Sequence, residues 1–288
     1  MSSLRFEAPT LLEHFAALVA DDRQFSLLEA AIAVAQDDDP TLDVQGLLSQ
    51  IDTLAAKLKQ RIAADAGAMH RLRCLNHYFF QELGFAGNVN NYYDAHNSHL
   101  QHVLATRRGI PITLALLFIE IAQQIGLDAR PVSFPGHFLV KLKMPQGEVV
   151  IDPLSGQSLS RESLDERLTP YRQRQGLVGE FEVPLGLFLQ AAHGRDVLAR
   201  LLHNLKEIHR TAEDWPRLLA VQQRLVVLLP QAWEERRDRG LVCAELNQRD
   251  AAVADLQAYL DRRPDADDAH AIGERLAELG GRGSAPLH

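Results

Sequence analysis

Two short stretches carry the side chains best suited to proton transfer. Pro135-Gly136-His137 opens one alternating segment, "HFLVKLKM", and Ile151-Asp152-Pro153 closes the segment after it, "EVVIDP". An imidazole and a carboxylate on neighbouring strands can share a proton, the Asp fixing the tautomer of the His. Upstream lies "TRRGIPITLALLF", residues 106–118. There Gly109 breaks one helix, and Pro111 sits in the first turn of the next, where a missing N–H costs little. A helix N-terminus facing a strand His and a strand Asp is the layout of a thiol-nucleophile triad. The helix end lowers the thiol pKa, the His takes the proton and the Asp holds the ring. No cysteine stands at this helix start.

Other candidates have plainer readings beside them. Cys74, in "RLRCLNHYFF", is a possible nucleophile, but a thiol among large apolar residues is usually inert core; Cys243 lies in a helical segment far away. Thr113 and Ser133 are hydroxyls that His137 could activate, although Thr113 suits a bond to the preceding turn. His96, His99 and His102 recur every three residues with Asp94 nearby, a spacing that suits either a metal site or a solvated helix face. Arg107 and Arg108 either bind an anion or cap the carbonyls of "HLQHVLATRR". In "NNYYDAHNS" the Asn residues, Asn97 among them, favour turns, and Tyr92 and Tyr93 read as anchors of a loop walling the cleft above His137.

The elements that must position these groups follow from periodicity. Apolar residues at helical spacing run through Leu27–Val34, then Val44–Ile62, then "AMHRLRCLNHYFFQELGF". Asn97 or Ser98 is a natural N-cap for the helix that follows the loop. The segment from Pro111 to Gln124 is apolar nearly all round, so it is central and buried, with Gly126 as its stop. The pattern then shifts to short alternating or β-branched runs, "ARPVSF", "HFLVKLKM" and "EVVIDP", which predict a small antiparallel sheet. Alternation puts His137, Leu139, Lys141 and Lys143 on one face and Phe138, Val140, Leu142 and Met144 on the other. From about residue 195 the chain is helical again. Pro230 and Pro264 stand 34 residues apart, each just after an apolar helix, and 34 is the period of the tetratricopeptide repeat. Gly240, Ala252, Leu256, Tyr259 and Pro264 fit the second unit. The first fits less well, with Lys206 where a small residue belongs, and "DAHAIGERLAEL" reads as a capping helix.

Bulk properties narrow the function. A net charge of -8 argues against a general nucleic-acid binder, which needs clustered cations. Two distant cysteines make no disulfide framework and suit a reducing compartment. The longest apolar run, Ile110 to Ile119, is half of a bilayer span, and the N-terminus lacks a leader-like apolar stretch. The expected setting is cytoplasmic, with no membrane span.

"RRGIPITLALLFIEIAQQIGLDARPVSFPGHFLV", "NNYYDAHNSHLQHVL" and "VIDPLSG" resemble the bacterial transglutaminase-like proteins with a C-terminal tetratricopeptide segment, often called the SirB family. The resemblance implies an α+β fold: a papain-like core of helices and a small antiparallel sheet over 1–190, then an all-α repeat segment over 195–280. It makes His137 and Asp152 the counterparts of the catalytic His and Asp. It places the nucleophile at about Pro111, with Ile110 and Ile112 beside it. Proline offers neither a nucleophile nor an N–H for an oxyanion. The leading expectation is therefore a non-catalytic binding or regulatory module, without cofactor or metal, that takes a protein or peptide through the repeats and a residual cleft lined by Arg108, Tyr92, Tyr93 and Asn97. The alternatives are a hydrolase or transferase of amide bonds using water or a hydroxyl activated by His137 and Asp152, and a metal-dependent hydrolase built on residues 94–102. A plugged or narrow cleft, filled by Ile110 or Ile112, is expected; the oligomeric state is left open.

Overall fold

The computed structural model describes residues 9–22, 25–88, 91, 93–177 and 179–281. The chain divides into two compact units, Asp22–Leu201 and Leu202–His288 together with Met1–Asp21.

The first unit is built around one buried helix. Its helices are α2 (Leu27–Ala33), α3 (Val44–Lys59), α4 (Ala68–Asn76), α5 (Leu100–Thr106), α6 (Pro111–Gln124), α7 (Arg161–Arg174) and α8 (Leu185–Phe188). Every residue of α6 from Pro111 to Ile119 is buried, as its all-round apolar sequence requires. It packs on α3 and on a three-stranded antiparallel sheet of order β3-β4-β5. The strands are β3 (Asp128–Val132), β4 (Leu139–Met144) and β5 (Gly147–Ile151), with Pro131 opposite Val140 and Leu142 opposite Val149. Val132, Phe134, Leu139, Val150, Leu164, Leu168 and Leu185 form one apolar cluster that joins the sheet to α7 and α8.

Three details differ from the sequence reading. His137 and Phe138 precede β4 instead of lying in it: a turn closed by the His137 N–H on the Phe134 carbonyl, at 3.1 Å, turns the chain just before the strand. The expected N-caps Asn97 and Ser98 instead form a short 3-10 turn, Ala95–Ser98, because Asp94 caps that turn through the His96 N–H; α5 starts one step later, after His99. A two-residue parallel pair, β1 (Ala86–Gly87) with β2 (Arg108–Gly109), brackets the loop between them.

The second unit holds α1 (Leu11–Leu18), α10 (Trp215–Leu228), α11 (Trp233–Glu245), α12 (Arg249–Arg262), α13 (Ala269–Gly281) and most of α9 (Gly194–Thr211), inside which the division falls. The sequence reading groups the first residues with the 1–190 domain. In the structure α1 packs on α10, with the Arg224 guanidinium 4.7 Å from the centre of the buried Phe15 ring. Gly240 behaves as the repeat pattern expects: a Cβ there would sit 2.9 Å from Leu256 Cγ, so α11 and α12 approach too closely for a larger residue. Ala252, Leu256 and Tyr259 are buried.

Candidate functional site

The turn at 133–138 and the end of β5 bring His137 and Asp152 together. His137 Nε2 lies 3.0 Å from Asp152 Oδ1, which also accepts the Leu154 N–H at 3.0 Å. Asp152 Oδ2 accepts from Arg167 Nη1 on α7 at 3.2 Å. Burial pushes the Asp152 carboxyl up. The bonds from His137, the Leu154 N–H and Arg167, with the attraction of a charged His137, outweigh it and hold the group at about 2. An ionised carboxylate only accepts, so Nε2 carries the hydrogen and a neutral His137 keeps its lone pair on Nδ1. Arg200 holds the His-bearing turn from the side: its Nη1 donates to Ser133 Oγ and to the Phe134 carbonyl, both at 2.9 Å, and its guanidinium lies 5.5 Å from the Phe138 ring centre. Neither Arg167 nor Arg200 is marked by the sequence motifs; each reaches the site from a distant helix.

The start of α6 offers no attacking group. Ile110, Pro111 and Ile112 are buried. Thr113 is fully buried, and its hydroxyl is committed: it accepts the Ile110 N–H at 3.1 Å and faces the carbonyls of Asn97 and Ile110 at 2.9 and 3.0 Å. A Cβ on Gly109 would stand 2.7 Å from that hydroxyl, so only glycine lets β2 pass this close to the helix. Ser133 is exposed but bonded to Arg200. Cys243 is buried in the second unit, with its thiol pushed up by burial. Cys74 is only half-buried, unlike the inert core residue expected, and its Sγ lies 3.4 Å from His70 Nε2.

The loop before α5 is held by amides. Buried Asn97 donates to the Asn91 carbonyl at 2.6 Å and accepts from Asn88 Nδ2 at 2.9 Å. Tyr93 is 80% exposed, and Tyr92 lies outside the described residues. Arg108 donates to the carbonyls of Gly84 and Arg107, at 2.7 and 2.9 Å, whereas α5 is closed by the backbone, Arg107 N–H on the Val103 carbonyl, with Arg107 in the left-handed region. Arg107 stacks on Phe85, its guanidinium 4.7 Å from the ring centre. Of the three histidines, His96 and His102 stack at 4.1 Å between ring centres, while His99 is buried with Nδ1 3.6 Å from Asp38. Among the described residues, no group of three or more His, Cys, Asp or Glu is placed to hold a metal ion.

Residues 45–203 match the model of the transglutaminase-like superfamily. The chain belongs to this superfamily. Residues 205–277 match a tetratricopeptide repeat model. Relatives of the whole arrangement are bacterial. A UPF0162 protein of Xylella fastidiosa strain Temecula1 is 34% identical over 262 residues, 90% of this chain and 92% of the relative. UPF0162 protein PA3419 of Pseudomonas aeruginosa is 29% identical over 91% of this chain and 94% of its own. UPF0162 protein YchA of Escherichia coli K12 is 28% identical over 79% and 82%. No solved structure matches. The transglutaminase-like chain with a repeat segment expected from the "GIPITLALLF" and "PGHFLV" stretches is thus the one found. Among the described residues, no helix is long and apolar enough to cross a membrane.

Proposed function

We propose that this transglutaminase-like protein is a non-catalytic binding or regulatory module of the bacterial cytoplasm. It comprises a degenerate core over 1–190 and a repeat segment over 195–280 that takes a protein or peptide partner. The observation that carries this reading is the start of α6. Buried Pro111 and Ile112 stand where the resemblance implies a thiol, and the hydroxyl of Thr113, in the same helix turn, is spent on three backbone groups. Two free cysteines and the absence of a long apolar helix among the described residues support the cytoplasmic setting. The pairing of Asp152 with Arg167 supports a structural role for the polar link between β5 and α7. The test is incubation of the purified protein with broad electrophilic amide and ester probes. The expected result is no adduct and no turnover that depends on His137; a His137-dependent product overturns the reading.

One observation favours a second reading. His137 presents Nδ1 as its open nitrogen while Asp152 fixes Nε2, which is the arrangement of a general base. On that reading water activated by His137 attacks an amide carbonyl, and the same probes would yield hydrolysis that His137→Ala abolishes.

A further inference from the structure

A cavity of about 500 Å³ opens inside the first unit, and the described residues that line it include neither His137 nor Asp152. Its volume falls in the range of small-molecule sites, roughly 300–1,000 Å³. Contacts between neighbouring segments close its wall. Gln123 on α6 donates Nε2 to the Ala129 carbonyl of β3 at 2.9 Å. The Pro131 carbonyl of β3 accepts the Ala192 N–H at 2.8 Å. Gly194, at the start of α9, meets Phe25 so closely that a Cβ there would stand 2.7 Å from the ring. Phe25 leads into α2, which packs back on α6. The lining groups carry both signs of charge and have bonding capacity to spare. Glu120 Oε1 accepts Gln124 Nε2 at 2.8 Å, while Glu120 Oε2 and Gln123 Oε1 make no hydrogen bond among the described residues. Arg130 gives only its Nε to Asp128, at 2.8 Å, which leaves both terminal nitrogens open.

We propose that this cavity binds a free α-amino acid with an aromatic side chain, as its zwitterion. The ammonium donates to the open oxygens of Glu120 and Gln123, which stand one turn apart on α6. The carboxylate takes the terminal nitrogens of Arg130, whose planar fork suits two parallel hydrogen bonds. The side chain packs on Phe25, Leu116 and Ile119. Gln123 is tied to Ala129, the residue before Arg130, so the acceptor and donor sides of the site adjoin. That matches an ammonium and a carboxylate separated by a single carbon. Each charge of the cavity then selects against half of the ligand: an amine alone leaves Arg130 without its anion, and an acid alone brings its charge towards Glu120. This inference is independent of the reading of His137 and of the repeat segment.

The full-length protein is titrated with L-phenylalanine by isothermal calorimetry at neutral pH. The expected result is saturable binding of one equivalent. Phenethylamine, which lacks the carboxylate, and 3-phenylpropionate, which lacks the ammonium, each bind about tenfold more weakly or worse. Glu120→Gln and Arg130→Gln each weaken the binding of L-phenylalanine by about the same factor. Glu166→Gln, an equal loss of charge at an exposed position of α7 outside the cavity, leaves it unchanged. Thermal melts confirm that each variant is folded. The absence of saturable binding to the wild-type protein overturns the proposal. So does an analogue that binds as tightly as the amino acid, and so does wild-type affinity in Glu120→Gln or in Arg130→Gln.

Discussion

At Asp152 three donors converge on one carboxylate, and their combined effect is a stability that depends on pH. The group is held at about 2 against an ordinary 3.8. A carboxyl depressed on folding contributes stability above its unfolded pKa and loses it as pH falls through the folded value, so the contribution is complete above about pH 5 and fades towards pH 2. At about 1.4 kcal/mol per unit it amounts to roughly 2 kcal/mol. Asp152→Asn is expected to lose about that much at pH 7 and only about a third of it at pH 2.5, measured by urea unfolding followed by circular dichroism; equal losses at both pH values would contradict it. Thr113 makes a different kind of contribution. Thr113→Val keeps the shape but strands the Ile110 N–H in a dry interior, at a cost of about 1–3 kcal/mol, while Thr113→Ser should recover most of it in the same measurement. The His137–Asp152 pair is legible in the sequence because residue type and strand spacing both mark it. Arg167 is not, because an arginine on a polar helix has no spacing that distinguishes it from a solvated one. Tyr93 is less legible: an aromatic in a loop suggests an anchor, yet its side chain is mostly exposed, and it is the Asn97 amide that holds the loop at the Asn91 carbonyl.

Among the elements, periodicity reveals what is long and repeated. The α6 helix and the 34-residue spacing of Pro230 and Pro264 are plain in the sequence, since an all-apolar helix and a regular break leave unambiguous patterns. The β1–β2 pair is invisible, because two residues define no period. So is the packing of α1 on α10, which joins distant parts of the chain through Phe15 and Arg224. The repeat helices allow a paired prediction. Gly240→Ala puts a Cβ against Leu256 and should destabilise the second unit by about 1–3 kcal/mol. Gly273→Ala, in α13 with nothing within 4 Å of its new Cβ, should stabilise it by up to about 1 kcal/mol through helix propensity. Thermal melts that shift in opposite directions would bear this out, and shifts of the same sign would not. Gln222 in α10 is wholly buried, and neither of its side-chain polar atoms has a hydrogen-bond partner among the described residues. Gln222→Leu should raise the melting temperature by removing about 1–3 kcal/mol of desolvation, and a lower melting temperature would refute it.

Among the described residues, each unit carries one strongly depressed carboxylate: Asp152 in the first and Glu235 in the second. Glu235 explains the repeat position that fits least well. Lys206 stands where a small residue belongs, and its Nζ donates to Glu235 at 2.7 Å and to Asp238 at 2.6 Å, while His203 Nε2 lies 2.7 Å from the other Glu235 oxygen. The α9–α11 contact is thus polar where a repeat is ordinarily close-packed. Burial raises the Glu235 carboxyl, but the bonds from His203 and Lys206 outweigh it and hold the group at about 2, against 4.5. The same sign follows as for Asp152: stability present above about pH 5 and lost towards pH 2, here roughly 3 kcal/mol. Both tryptophans, Trp215 and Trp233, belong to the second unit, so their fluorescence reports its unfolding alone. Glu235→Gln should lower the urea midpoint of the tryptophan transition at pH 7, with the two proteins converging as the pH approaches 2. Tryptophan transitions that stay separated by the same amount from pH 7 to pH 2.5 would show that the α9–α11 ion cluster does not hold the repeats together.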